Sequence, residues 1–154
     1  MLPPAISPVF ASTKIAVRTR SNEISYFYYH HWAVTPQEAI TNFIQSEVRN
    51  ASLFAASGSR GWRINNAYRI GSTVEYLEYL EQGDNASAHL QMKFTFMRTS
   101  DGEELYAHDF NRTVRLRSKN LNEFAAVISK VLGDEMNVFL DGIQNYLVEA
   151  KSGS

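Results

Sequence analysis

The side chains able to do chemistry in this chain are few and scattered. His30 and His31 adjoin each other at the end of the run Tyr26-Phe27-Tyr28-Tyr29. Neighbouring residues on a strand point to opposite faces, so these imidazoles do not converge on one ion. A pair at i and i+2 would converge, and zinc asks for a third protein ligand as well. His89 and His108 stand alone in the sequence. Asp101, Glu103 and Glu104 gather around an Asp-Gly turn, the ordinary place for solvated charge. General acid–base work needs two such groups in a pocket. Glu75, Glu78 and Glu81 recur every third residue, so on a regular strand they do not share a face. Gly58-Ser59-Arg60-Gly61 lacks the Lys-Ser/Thr step and the strand-to-helix setting of a phosphate loop. No nucleophile-elbow sequence supports a Ser-His-Asp triad. The triplets at Asn50, Asn85 and Asn111 match a glycosylation sequon only as chance matches do. No catalytic residue, metal ligand or cofactor is assigned.

Composition narrows the classes further. The 154 residues contain no cysteine, which excludes disulfides, thiolate catalysis and Cys-based zinc sites. Lys+Arg is 15 against 16 for Asp+Glu, so the basic excess of a nucleic-acid binder is missing. The length suits one domain with a real core. No stretch approaches the ~20 apolar residues of a membrane span. Residues 1–11 lack a basic region, and Pro3, Pro4 and Pro8 interrupt any apolar run, so they are not a signal peptide. Met1 reads as an added start, residues 1–12 as a stalk once tethered upstream, 13–148 as a single domain and 149–154 as a tail.

Two groups of residues remain as candidates for binding. The first is the aromatic stretch Tyr26 to Trp32, with Pro36 just beyond it. Its apolar rings fall on both strand faces, whereas a half-buried strand needs only one. Such a run either packs in a core or lines a partner contact, for which Tyr and Trp are suited. The second is Arg112, Arg115, Arg117 and Lys119, a basic strand end. It can meet lipid phosphates or an acidic partner, or simply defend a sheet edge with charge.

The elements that must position these groups follow from periodicity. Strands are predicted over 13–19 and 24–32. A helix opens at Pro36, with Thr35 and Glu38 as a capping box. Its apolar stripe is Ala39, Ile40, Phe43, Ile44, Val48 and Ala51. Residues 57–61 form a loop, and Trp62 and Ile64 suggest a short strand. Residues 67–80 form a long strand of imperfect alternation, with a bend expected at Gly71. Residues 86–98 alternate cleanly, with Leu90, Met92, Phe94 and Phe96 against His89, Gln91, Lys93 and Thr95. After Asp101-Gly102, a strong hairpin signal, residues 103–116 make the last strand. Asn120 caps a final helix reaching about Val148, in which Gly133 and Gly142 each cost ~1 kcal/mol against Ala. The fold class is α+β: a two-layer sandwich of about five mainly antiparallel strands, ordered ββ-α-β-β-β-α, with two helices on one face.

Three segments together carry a family resemblance. They are Val17-Arg18, Ile24-x-Tyr26 and Trp32-Ala33 with Pro36; then Tyr68-x-Ile70-x-x-Thr73-Val74-Glu75; then 88–98 with the return strand and the helix 124–147. In this order the chain resembles the ABC-type transport auxiliary lipoproteins. It departs from their pattern at Thr35, where a second proline is common. The resemblance implies an exported, non-catalytic lipoprotein, periplasmic and anchored by lipid to a bacterial membrane, the outer one by expectation. It implies an ABC permease and a mammalian-cell-entry substrate-binding protein as partners, moving lipids or hydrophobic solutes, with homo-oligomeric assembly as a further expectation. The expected role is docking, through Tyr26, Tyr28, Trp32 and Pro36 or through Arg112, Arg115 and Arg117. The alternative is a direct carrier of lipid or a small hydrophobic ligand. A hydrolase is the third class.

Overall fold

The cleanest alternation in the sequence becomes the central strand. In a computed structural model, the structure describes residues 5–6, 14–18, 24–31, 36–56 and 68–152. Their elements are β1 (Ala5–Ile6), β2 (Lys14–Arg18), β3 (Ile24–His31), α1 (Pro36–Ala56), β4 (Tyr68–Gln82), β5 (Asn85–Arg98), β6 (Glu104–Arg115) and α2 (Leu121–Ser152). The fold is α+β, with two helices and an open sheet whose three main strands, β4, β5 and β6, run antiparallel. The strand suggested at Trp62 and Ile64 lies outside the described residues, as do the capping Thr35 and the loop 57–61.

The strand order is β3-β2-β4-β5-β6, with β1 also paired to β4. The order across the sheet thus departs from the order along the chain. Tight turns do join β4 to β5 to β6, and Gly102 supplies the left-handed φ of 72° that the second turn requires. The β2–β3 hairpin is instead laid against β4 by β2 in parallel, with Val17 opposite Tyr79 and Arg18 opposite Leu80. A parallel neighbour demands a long crossover, and the segment containing α1 provides it. Ala5–Ile6, within the expected stalk, also pairs parallel with β4, at Thr73 and Val74. Two residues carry too little pattern to announce themselves as a strand.

The imperfect alternation of β4 has a definite cause. Val74 pairs with Met92, but Tyr76 pairs with Gln91, so Glu75 is the extra residue of a β-bulge. The bulge, not Gly71, is where the register breaks. Before it Ile70 and Val74 are buried; after it Leu77 and Tyr79 are. The strand therefore changes phase, and Tyr76 is left 37% exposed rather than joining Val74.

One apolar cluster joins Ile40 and Ile44 of α1, Val131, Met136, Phe139 and Ile143 of α2, and the buried faces of β4, β5 and β6. Phe94 and Phe96 are fully buried there, each worth ~2 kcal/mol in transfer before ordering entropy is counted. Phe139 lies 5.3 Å from Phe94 and 5.9 Å from Tyr106, centroid to centroid. A second cluster gathers Ile15, Tyr79, Ala86, Ala88, Leu116 and Phe124 around the start of α2. That start is capped as expected: Asn120 Oδ1 accepts the N–H of Asn122 at 2.8 Å. Glu123 reaches back to accept the N–H groups of Arg117 and Ser118 at 2.9 and 3.2 Å.

Candidate functional site

The bulge at Glu75 builds a polar assembly on the sheet. His89 and Gln91 lie two residues apart on β5 and so share a face. Glu78 meets His89, and Glu75 accepts from Gln91 Nε2 at 3.0 Å, so both acids come to that face. This corrects the expectation that Glu75 and Glu78 lie apart, which assumed a regular strand. Glu78 is only 1% exposed. Arg18 Nε of β2 donates to its two oxygens at 3.1 and 3.0 Å. His89 Nδ1 lies 2.9 Å from Glu78 Oε1, and Nε2 lies 2.8 Å from Asn111 Oδ1.

The electrostatics of this assembly are consistent with its geometry. Both ring nitrogens of His89 face acceptor oxygens, an arrangement that the doubly protonated imidazolium satisfies. The hydrogen bond to Glu78 raises the His89 pKa above its ordinary 6.5; burial opposes that and the bond to Asn111 adds to it. Tyr76 stacks on His89 at 5.2 Å, and the Arg18 guanidinium lies 5.8 Å from the Tyr76 ring centroid. A buried carboxylate whose oxygens are taken by a guanidinium and an imidazole is poorly placed to act as a base. What it does is mechanical: it ties β2, and with it the β2–β3 hairpin, to β4 and β5. Sequence reading missed Arg18, Glu78 and His89 as a unit. The usable signal was a glutamate inside the apolar segment Val74–Leu80, which a buried position would have to pair.

That hairpin carries the aromatic candidates. Tyr26 and Tyr28 lie on β3, the outermost strand of the sheet order, and Pro36 is the first residue of α1. Trp32 lies outside the described residues. Lys14 pairs with His31 while Ala16 pairs with Tyr26, so three extra residues sit in β3 between those pairs. Face assignments made by counting alternate residues from Tyr26 to Trp32 therefore do not hold across this break.

The structure divides the basic run. Arg112 faces α2, where its guanidinium lies 3.5 Å from Glu135 and 3.8 Å from Asp134. Glu135 also bonds His108 Nε2 at 2.6 Å, so each of these two histidines, isolated in sequence, has a glutamate partner. Arg115 donates to Asn85 Oδ1 at 2.6 Å, and Lys119 to the Gly83 carbonyl at 2.6 Å. Arg115 and Arg117 line a cleft beside the β4–β5 turn; Arg112 does not join them.

An apolar cleft separates the two helices. Ala39, Ile40 and Phe43 of α1, Leu77 and Leu90 of the sheet, and Ala125, Ile128, Ser129 and Leu132 of α2 line about 150 Å³. A volume of that order admits a benzene-sized molecule. Among the described residues no group of three or more His, Asp or Glu side chains is placed to hold a metal ion. No helix among them is long and apolar enough to cross a membrane.

Sequence comparison places this α+β domain with its edge hairpin and apolar inter-helix cleft. The model of the ABC-type transport auxiliary lipoprotein component family matches residues 1–136, and the chain belongs to that family. The fold is similar to that of a protein from Xanthomonas campestris, at 18% identity and a TM-score of 0.71, over 98% of this chain and 84% of that one. It is similar to a second, uncharacterized protein at 11% identity and a TM-score of 0.72, over 92% and 88%. A PelC dodecamer from Paraburkholderia phytofirmans matches at 16% identity with a TM-score of 0.47, over 92% and 86%. A comparison with curated proteins found no match.

Proposed function

We propose that this protein is a non-catalytic docking component of an envelope ABC transporter for lipids or hydrophobic solutes. It acts beside the permease and a mammalian-cell-entry substrate-binding protein, held to the periplasmic side of a membrane by an N-terminal lipid anchor. The observation that carries the reading is the clasp. Arg18 and His89 fix buried Glu78, and so hold at the sheet edge the hairpin that bears Tyr26 and Tyr28. An edge strand whose sequence carries an aromatic run suits a partner surface, since main-chain groups add affinity and rings add area. Tyr26, Tyr28, Trp32 and Pro36 are assigned to it.

The inter-helix cleft favours a second reading, a carrier of a small apolar ligand. Its volume of about 150 Å³ lies below the ~300–1,000 Å³ of sites that enclose a drug-sized molecule. It suits one ring or the end of one acyl chain, not a whole lipid, and the docking role is therefore preferred. Capture of the cognate mammalian-cell-entry protein by wild type, Tyr28→Ala and Trp32→Ala separates the two. Docking predicts that retention falls in the variants. Unchanged retention, together with lipid in the mass spectrum of the native protein, would replace docking with the carrier.

A further inference from the structure

We propose that the cleft beside the β4–β5 turn binds a phosphate group, gripped by the guanidinium groups of Arg115 and Arg117. The cleft has a volume of about 320 Å³ and is lined by Asp84, Asn85, Ala86, Arg115, Leu116, Arg117 and Ser118. That is room for a phosphate with the group esterified to it.

The lining is built before any ligand arrives. Arg115 and Arg117 flank Leu116, which is 5% exposed and whose N–H is held by the Ala86 carbonyl at 2.8 Å. The main chain between the two arginines is thus anchored to β5. Asn85 Oδ1 accepts one N–H of Arg115 and orients its fork. A guanidinium has five N–H donors, so most remain for a ligand.

Among the described residues neither Arg115 nor Arg117 forms an ion pair, although the Arg117 N–H and, to a lesser degree, the Arg117 charge help to hold the Glu123 carboxyl below its ordinary pKa. Arg112, the third arginine of the run, has Asp134 and Glu135 within ion-pair distance. Arg115 bonds a neutral amide instead. Glu123, the carboxylate nearest in sequence to Arg117, takes the N–H groups of Arg117 and Ser118 and the Ser118 hydroxyl. Lys119 is drawn to Glu81 and the Gly83 carbonyl. Among the described residues lining the cleft there are two arginines and a single acid, Asp84. Planar forks of this kind match phosphate oxygens bidentately and are less strongly hydrated than an ammonium. The phosphate can belong to a phospholipid headgroup or to a soluble phosphate ester. The inference rests on Arg115 and Arg117 and is independent of the docking role of β3.

The test uses the full chain and two probes: glycerol 3-phosphate by calorimetry, and phosphatidylglycerol against phosphatidylcholine vesicles by co-sedimentation. Arg115→Gln and Arg117→Gln are each expected to weaken phosphate binding about tenfold, the scale of one charge-assisted hydrogen bond. Arg112→Gln should leave binding unchanged, and Asp84→Asn should tighten it several-fold. Tightening by Asp84→Asn requires an intact fold, so it decides the matter if an arginine variant fails to fold. Selective sedimentation with phosphatidylglycerol assigns the phosphate to lipid; calorimetric binding alone assigns it to a soluble ester. Equal binding by wild type and both arginine variants would overturn the proposal, as would no binding of either probe. Equal competition by glutamate, which would make the site one for carboxylates, overturns it too.

Discussion

Two glycines of α2 make opposite predictions, and only the structure separates them. Both sit in the interior of a long helix, where replacing glycine by alanine gains about 1 kcal/mol of propensity. At Gly133 an added Cβ meets only Phe43 Cζ, at 3.6 Å, an ordinary contact. Gly133→Ala should therefore raise stability by about 1 kcal/mol. At Gly142 an added Cβ runs into the Tyr106 ring, at its hydroxyl, Cζ and Cε1. That ring is stacked on Phe139 with an interplanar angle of 25°, and Phe139 is fully buried. Moving it disturbs a packed layer, and overpacking of this kind costs about 1–3 kcal/mol. Subtracting the propensity gain leaves a net loss of up to about 2 kcal/mol for Gly142→Ala. Urea unfolding at constant slope reads both changes as shifts in midpoint. The double variant Tyr106→Ala/Gly142→Ala tests the cause, because removing the ring should abolish the penalty specific to position 142. If Gly142→Ala proves as stabilising as Gly133→Ala, the close approach of β6 to α2 described above is wrong.

The clasp and the core make further predictions. Glu78→Gln removes a buried carboxylate from between Arg18 and His89, and stability should fall by about 3 kcal/mol. A drop under about 1 kcal/mol in chemical denaturation would contradict the clasp. Because the folded-state pKa of His89 is raised above the ordinary 6.5, its charged form contributes stability that is complete below that pH. The contribution is lost as pH rises through the raised value. Wild type should thus lose stability across that window, and Glu78→Gln should lose this component; identical slopes in the two proteins would refute the coupling. The Ser72 hydroxyl is buried with no hydrogen-bond partner among the described residues. Ser72→Ala should therefore stabilise by about 1 kcal/mol in the same assay, and a loss of that size would reveal a partner.

Much of this molecule was legible from residue order alone, for a plain reason. Secondary structure here is announced by local periodicity and by punctuation. Leu90 to Phe96 alternate, Asp101-Gly102 turns, Pro36 opens one helix and Asn120 caps the other; each signal is complete within a few residues. The same local segments carried the family resemblance that the match over residues 1–136 shows. Tertiary structure decided whatever depended on a residue's distant neighbour. A single extra residue at Glu75 inverted the inward face of β4 and brought Glu78 under Arg18, 60 positions away. The crossover set β2 parallel to β4, a pairing that no local signal announces. Contacts with α2 removed Arg112 from a basic run that looked continuous and left Arg115 and Arg117 at their own cleft. Spacing along a chain fixes which side chains can share a face only while the strand stays regular; once a bulge or a crossover intervenes, pairing across space takes over.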